Sequence, residues 1–200
     1  MIWLKYLLVS IIGYLLGSIS PSYYIGLKKG IDIRTKGSGN LGTTNSFRVL
    51  GKNAGIVTLI ADVLKGIIAV LIGRAICGIT GGYLAGFFAI VGHDYPFYLD
   101  FKGGKGVATS LGVMLILEPK IAIIAIILGL IVILSTGMVS AGALTGFTVY
   151  PILYLFLEYN YIWYKILIIF TVCILGIIRH RANIKRIINK TEGTIWKGLK

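Results

Sequence analysis

Residues 107–134 read VATSLGVMLILEPKIAIIAIILGLIVIL, and the division of this stretch decides the fold. Read as one apolar helix, it would carry Glu118, Pro119 and Lys120 near the middle of a membrane. Each charge there costs roughly 2.5–3.5 kcal/mol on insertion scales, and proline breaks a helix interior. Two short helices joined at the far surface, 107–117 and 121–134, avoid both costs. The division also fixes parity. With it the chain makes seven spans and its polar loops and tail share one side; without it there are six and the tail crosses over.

The rest of the chain supports the membrane setting. Of 200 residues, 56% are hydrophobic and 14% charged, and the mean hydropathy is +0.88. A soluble domain of this length needs more surface charge, so the class is an all-α, polytopic integral membrane protein. The other apolar segments are 2–27, 54–78, 79–92, 137–157 and 164–178. A crossing needs about 20 residues, so the first, second and sixth of the seven segments are long enough and the third to fifth are short. The first twenty residues mimic a signal peptide, with Lys5, an apolar run, then Ser18 and Ser20. The basic region that follows favours an uncleaved first span. No repeat or boundary is visible, and one membrane domain over 1–200 is expected, with polar loops at 28–53 and 93–106 and a tail at 179–200. Gly142 and Gly146 have the small-xxx-small spacing of helix packing. Cys77 and Cys173 lie in apolar stretches and read as packed helix residues rather than a disulfide or metal pair.

Net charge is +13. Because the cations flank apolar spans, anionic headgroups or anionic substrates suit them better than nucleic acid. With seven spans, 15 of the 20 basic residues fall on the loop side and four on the other (Lys5, Arg74, Lys120 and Lys165), with Lys65 inside a span. The positive-inside rule then places the N-terminus outside and the loops and C-terminus in the cytoplasm. Asp62 and Lys65, three residues apart within a span, read as a neutralising structural pair, with a proton or ion relay as the lesser alternative.

Three polar islands interrupt the apolar chain. In the first, Arg34 precedes Gly37-Ser38-Gly39-Asn40, and Thr43, Thr44, Asn45 and Arg48 follow, a run of short donors with two arginines that can fork onto phosphate. The same residues also suit an ordinary solvated turn. In the second, Lys102-Gly103-Gly104-Lys105-Gly106 opens the helix at Val107, where backbone donors and the dipole favour an anion. This is not a nucleotide P-loop, because Leu99 and Gly106 occupy the places that motif reserves for glycine and for Ser or Thr. A lysine pair anchoring a helix at the headgroups would not require the glycines. The third island sets His180 and Asn183 among Arg179, Arg181, Lys185 and Arg186. The two share a face if the last helix continues, and Glu192 stands in this basic tail as a candidate ion-pair partner.

These blocks together resemble a known family. Gly17-Ser18-Ile19-Ser20-Pro21, Asp32-Ile33-Arg34, Gly37 to Asn45 with Arg48, Gly92-His93, Phe101 to Thr109, His180 with Asn183-Ile184, and Glu192-Gly193 are similar to the signature blocks of the bacterial acyl-phosphate:glycerol-3-phosphate acyltransferases (the PlsY family). The likeness spans the chain in order, and Thr43 departs from the family's usual alanine. It implies a seven-helix enzyme of the bacterial inner membrane with its site at the cytoplasmic face. Such an enzyme acylates the 1-hydroxyl of glycerol 3-phosphate from acyl phosphate, releasing lysophosphatidic acid and phosphate, with no acyl-CoA, metal or other cofactor. It would work in membrane lipid, beside the enzyme that makes acyl phosphate. Carried over residue by residue, the resemblance puts Ser38, Arg48 and Lys105, with Gly103 and Gly104, at phosphate, and Asn40, His180 and Asn183 at the polar end of the site. Lys102 and Asn45 join the binding set, and Glu192 is structural. The base is either His180, whose residue type suits the task, or a phosphate group of the substrate, which is preferred.

The residues agree with an acyl-CoA-independent enzyme. The His-x4-Asp pattern of the acyl-CoA-dependent enzymes is missing, since Tyr98 follows His93 and Lys185 follows His180 at that spacing. No His, Cys or carboxylate cluster has metal-ligand spacing. The competing reading is a transporter of phosphate or an organophosphate, which would place broken helices and binding groups at mid-membrane, often in an inverted repeat.

Overall fold

Glu118 adopts φ −138° and ψ 69°, so the decisive stretch breaks where the sequence places the break. The helix Val107–Leu117 ends on one side of it, and the next begins at Pro119. The computed structural model describes residues 1–159 and 161–195, which leaves Lys197 and Lys200 of the basic tail outside the described residues. All seven apolar segments are helical. Among the described residues four stretches are long and apolar enough to cross a membrane, Ile2–Lys28, Lys52–Leu99, Pro119–Thr136 and Val139–Leu157, and the bent pair Trp163–Arg179 with Arg181–Ile188 adds a fifth when counted as one span. Large apolar side chains such as Leu4, Ile60, Leu71, Ile131 and Leu167 are exposed along these helices, as lipid-facing surfaces require.

The chain divides into two compact units, Met1–Leu117 and Glu118–Lys200. The first contains α1 (Ile2–Ser18), α2 (Pro21–Lys28), α3 (Thr43–Leu50), α4 (Lys52–Asp94) and α5 (Val107–Leu117). The apolar segment 2–27, expected as one helix, is broken before Pro21, whose ring disfavours helical backbone in the preceding residue. The Tyr98 hydroxyl bridges that break, accepting from Ser20 N at 3.1 Å and donating to Ser18 O at 2.8 Å. The long α4 is really two arms. Cys77 leaves helical geometry and Gly78 takes φ 63°, a left-handed turn that glycine enters without a Cβ clash. Contacts between Gly73 and Gly81, Val70 and Gly86, and Lys65 and His93 run in opposite chain directions, so the arms form an antiparallel hairpin.

Small residues set how closely these helices pack. Gly13 and Gly17 of α1 lie directly on the backbone of Ala85 and Ala89 in the second arm of α4, and Gly92 lies on Tyr14. Gly66 and Gly112 hold the first arm of α4 against α5 in the same way. In lipid no hydrophobic force drives helices together, so close van der Waals contact between small residues supplies the association.

The second unit contains α6 (Pro119–Thr136), α7 (Val139–Leu157), α8 (Trp163–Arg179) and α9 (Arg181–Ile188). Gly129 meets Gly142, and Gly176 accommodates the Phe147 ring, which seats α7 against α6 and α8. Gly146, expected to act with Gly142, faces open space. Lys165 pairs with Glu118 at 3.4 Å.

The polar stretches are more structured than expected. The loop read over 28–53 contains α3, so Thr43, Thr44, Asn45 and Arg48 stand on a helix. The tail read over 179–200 contains α9, and the chain bends by 55° at His180, so His180 and Asn183 do not share the face of one continuing helix.

Candidate active site

The first island is built around Asn45. Its side chain is 2% exposed; Oδ1 accepts from Ser38 N at 2.9 Å, and Nδ2 donates to Lys36 O at 3.2 Å and Ile33 O at 3.4 Å. This donor and acceptor set fixes the amide orientation. Asn45 therefore holds the loop, and its amide is engaged there rather than turned outward. Gly37 and Gly39 take φ 60° and 68°, and a Cβ on Gly37 would strike the Asn45 carboxamide. Beneath the loop Ile33, Leu41, Leu50, Ala54 and Leu99 form a small apolar core, and Leu99 comes from the segment leading to the second island. Ser38 and Arg48 are exposed. Arg34, expected as a second phosphate fork, is committed instead to Asp32 at 2.8 Å and lies over the Tyr23 ring. Hydrogen bonds from the Arg34 side chain and backbone hold the Asp32 carboxyl below its ordinary range.

The second island folds back on the end of α4. Gly103 N donates to Asp94 O at 3.1 Å and Gly104 N to His93 O at 2.9 Å. These two N–H groups, read from sequence as phosphate donors, are thus engaged by helix-end carbonyls that need partners. The glycines are required because the loop presses on α4: a Cβ on Gly103 would collide with Pro96 and the Asp94 carbonyl, and one on Gly104 with the His93 ring. Lys102 is exposed, Lys105 is half-buried, and Gly106 turns at φ 70° into α5.

Asn40 joins the two islands. Its Oδ1 accepts from Gly42 N at 2.9 Å, and its Nδ2 donates to Gly103 O at 3.3 Å. Below them Asp62 and Lys65 pair at 2.7 Å, as the spacing predicts, and His93 joins them through Nδ1, 2.8 Å from Lys65 Nζ. The part played by His93 was not legible, because its partners lie 28 and 31 positions earlier and meet it only through the α4 hairpin.

In the second unit His180 is 3% exposed at the bend. Its Nδ1 lies 2.7 Å from Gly176 O and its ring packs on Phe147. A carbonyl can only accept, so Nδ1 carries the proton and Nε2 is the second, distinct nitrogen. Asn183, 5% exposed, donates from Nδ2 to Glu192 Oε1 at 2.7 Å. Ser140 Oγ donates to the same oxygen at 2.7 Å, and Arg186 Nε donates to Oε2 at 2.6 Å. Glu192 is thus the structural partner expected of it. Burial alone would raise its carboxyl pKa, but the hydrogen bonds from Ser140, Arg186 and Asn183 outweigh that and hold it below its ordinary value. Ser140 has no sequence signal as a partner, since 52 positions separate it from Glu192.

Helices packed through small residues, apolar outward faces and cationic glycine-rich loops held against helix ends define an integral membrane protein with a built polar site. The family model for Glycerol-3-phosphate acyltransferase matches residues 7–190, and the chain belongs to this family. It is 42% identical over 198 residues to the glycerol-3-phosphate acyltransferase of Clostridioides difficile strain 630, covering 96% of each chain. Among solved structures it resembles the integral membrane glycerol 3-phosphate acyltransferase PlsY in its glycerol 3-phosphate form, with a TM-score of 0.89, 35% identity and 95% of each chain covered. The lysophosphatidic acid form of that enzyme matches with a TM-score of 0.85 at 35% identity over 94% of each chain.

Proposed function

We propose that this protein transfers an acyl chain from acyl phosphate to the 1-hydroxyl of glycerol 3-phosphate, giving lysophosphatidic acid and inorganic phosphate, the first step of phospholipid synthesis. The observation that carries this reading is the match over 95% of the chain to an acyltransferase solved with glycerol 3-phosphate. Membership of that family leaves the transporter reading without support.

In this reaction the hydroxyl oxygen attacks the carbonyl carbon of a mixed anhydride. The carbon–oxygen bond to phosphate breaks, and phosphate leaves with the electron pair. Phosphate is a good leaving group, so the harder task is to hold two phosphate compounds side by side. Preorganised cations and donors meet it by positioning and by charge neutralisation. Arg48, Lys105, Lys102 and Ser38 take the phosphate contacts. Gly103 and Gly104 let the loop sit low enough for Lys105 to reach, and Asn45 and Asn40 hold the two islands in register. Asn183, its amide nitrogen held by Glu192, and His180 lie at the polar end of the site, where the substrate hydroxyl is placed. The hydroxyl proton passes to a phosphate oxygen of the substrate, so His180 orients the nucleophile rather than keeping its proton.

The charge asymmetry of the loops supports seven crossings of a bacterial inner membrane within one membrane domain, N-terminus outside and site facing the cytoplasm. Acyl phosphate is a reactive mixed anhydride, which favours a source close by in the same membrane. The test is a donor swap. Acyl phosphate supports lysophosphatidic acid formation and acyl-CoA does not; equal turnover with acyl-CoA contradicts the reading. A Lys102→Cys label taken up only from the cytoplasmic face supports the orientation, and labelling from outside contradicts it.

A further inference from the structure

The cluster of Asp62, Lys65 and His93 lies in the first unit below the glycine-rich loop, and the reaction as derived makes no direct use of it. All three side chains are buried, at 1%, 6% and 7% exposure. Three polar atoms surround Lys65 Nζ: Asp62 Oδ1 at 2.7 Å, Ile19 O at 2.7 Å and His93 Nδ1 at 2.8 Å. His93 Nδ1 also lies 3.3 Å from Asp62 Oδ1, so one edge of the imidazole faces the ion pair. Nε2 is the atom that a Cβ on Gly104 would strike first, and the backbone of the same histidine takes the Gly104 N–H at 2.9 Å.

We propose that Asp62 and Lys65 position the His93 ring as the seat of Gly104, and that this seat sets the height of the loop and hence the grip of Lys105 on the phosphate of glycerol 3-phosphate. The proposal rests on the functional reading above. These three are positioning residues, since none is placed against the reacting atoms. The ion pair is anchored at three points, to the α1–α2 break through Ile19, to the first arm of α4, and to the second arm through His93. A buried pair held this way is poor at adding stability and well suited to fixing a geometry.

The test uses the full-length protein in bilayers and separates KM from kcat. His93→Ala raises KM for glycerol 3-phosphate about tenfold while kcat changes by less than about threefold, the pattern of lost ground-state binding. Gly104→Ala alone raises KM by a similar factor because its methyl meets the imidazole. In His93→Ala with Gly104→Ala the two effects fall clearly short of multiplying, since the methyl now has room; non-additivity of this kind reports direct contact. Should His93→Ala fail to fold, Asp62→Leu with Lys65→Met decides instead. Replacing a buried ion pair by apolar residues of similar size is often neutral for stability, and it too must raise KM. Unchanged KM in the variants, a fall in kcat at constant KM, or fully multiplicative effects at 93 and 104 each overturn the proposal. An inactive wild type fails the functional reading itself, whereas an active wild type with indifferent variants fails only this inference.

Discussion

The side-chain nitrogen of Asn40 donates to the backbone oxygen of Gly103 at 3.3 Å, across 63 positions of sequence. One neutral hydrogen bond is worth only about 1 kcal/mol to stability. Its larger consequence is that the two cationic loops of the first unit move as one piece. Asn40→Ala should therefore cost little in thermal stability yet lower kcat/KM for glycerol 3-phosphate by tenfold or more. Circular dichroism melts and steady-state kinetics on one preparation check this; wild-type kinetics in the variant would show that the loops are aligned by other means.

Asn45 gives the opposite balance. Its carboxamide satisfies Ser38 N, Lys36 O and Ile33 O in a buried setting. Asn45→Ala leaves those groups without their partner and should destabilise by about 1–3 kcal/mol. Gly37→Ala adds a methyl against the same carboxamide at φ 60° and should be comparably harmful. Denaturant or thermal unfolding in detergent measures both, and a loss of activity without a loss of stability would assign Asn45 to ligand contact instead.

Glu192 makes the tail sensitive to acid. Its carboxyl is held below the ordinary 4.5 in the folded protein. A depressed carboxyl contributes stability that is fully present above the unfolded value and is lost as pH falls through the folded one. The stability gap between wild type and Glu192→Ala should thus be flat above about pH 4.5 and narrow below it. At neutral pH the gap should be about 2–3 kcal/mol, the scale of hydrogen bonds to a charged group. Thermal melts from pH 3 to 7 (roughly the window in which carboxylates titrate) check the sign, and a gap that widens on acidification contradicts it.

Much of the fold could be read locally. The break at Glu118–Pro119, the turn at Cys77–Gly78 and the helix start at Val107 each follow from charges, glycine or proline interrupting an apolar run. The site was legible as residue types in blocks, and less so as roles. Asn45 and the N–H groups of Gly103 and Gly104 suited a ligand as well as they suited the loop, and only tertiary contacts show them engaged by the protein. Arg34 lost its freedom to Asp32 two positions away, a local pairing visible in the sequence but outweighed there by the density of donors around it. His93 and Ser140 could not be placed, because each acts through a partner brought near by helix packing. The close contacts of Gly13 and Gly17 with Ala85 and Ala89 carry no local signal for the same reason: their spacing is ordinary until the second helix packs against them.

The central claim is tested most directly by incubating the purified protein in bilayers with acyl phosphate and glycerol 3-phosphate, free of CoA and divalent metal, and following phosphate and lysophosphatidic acid together. The account predicts equimolar release of the two, reduced at least a hundredfold in Arg48→Ala and Lys105→Ala, on the scale of lost electrostatic stabilisation at a charged reacting centre, about 2.7 kcal/mol or more. Well-folded wild-type protein that forms neither product would contradict it.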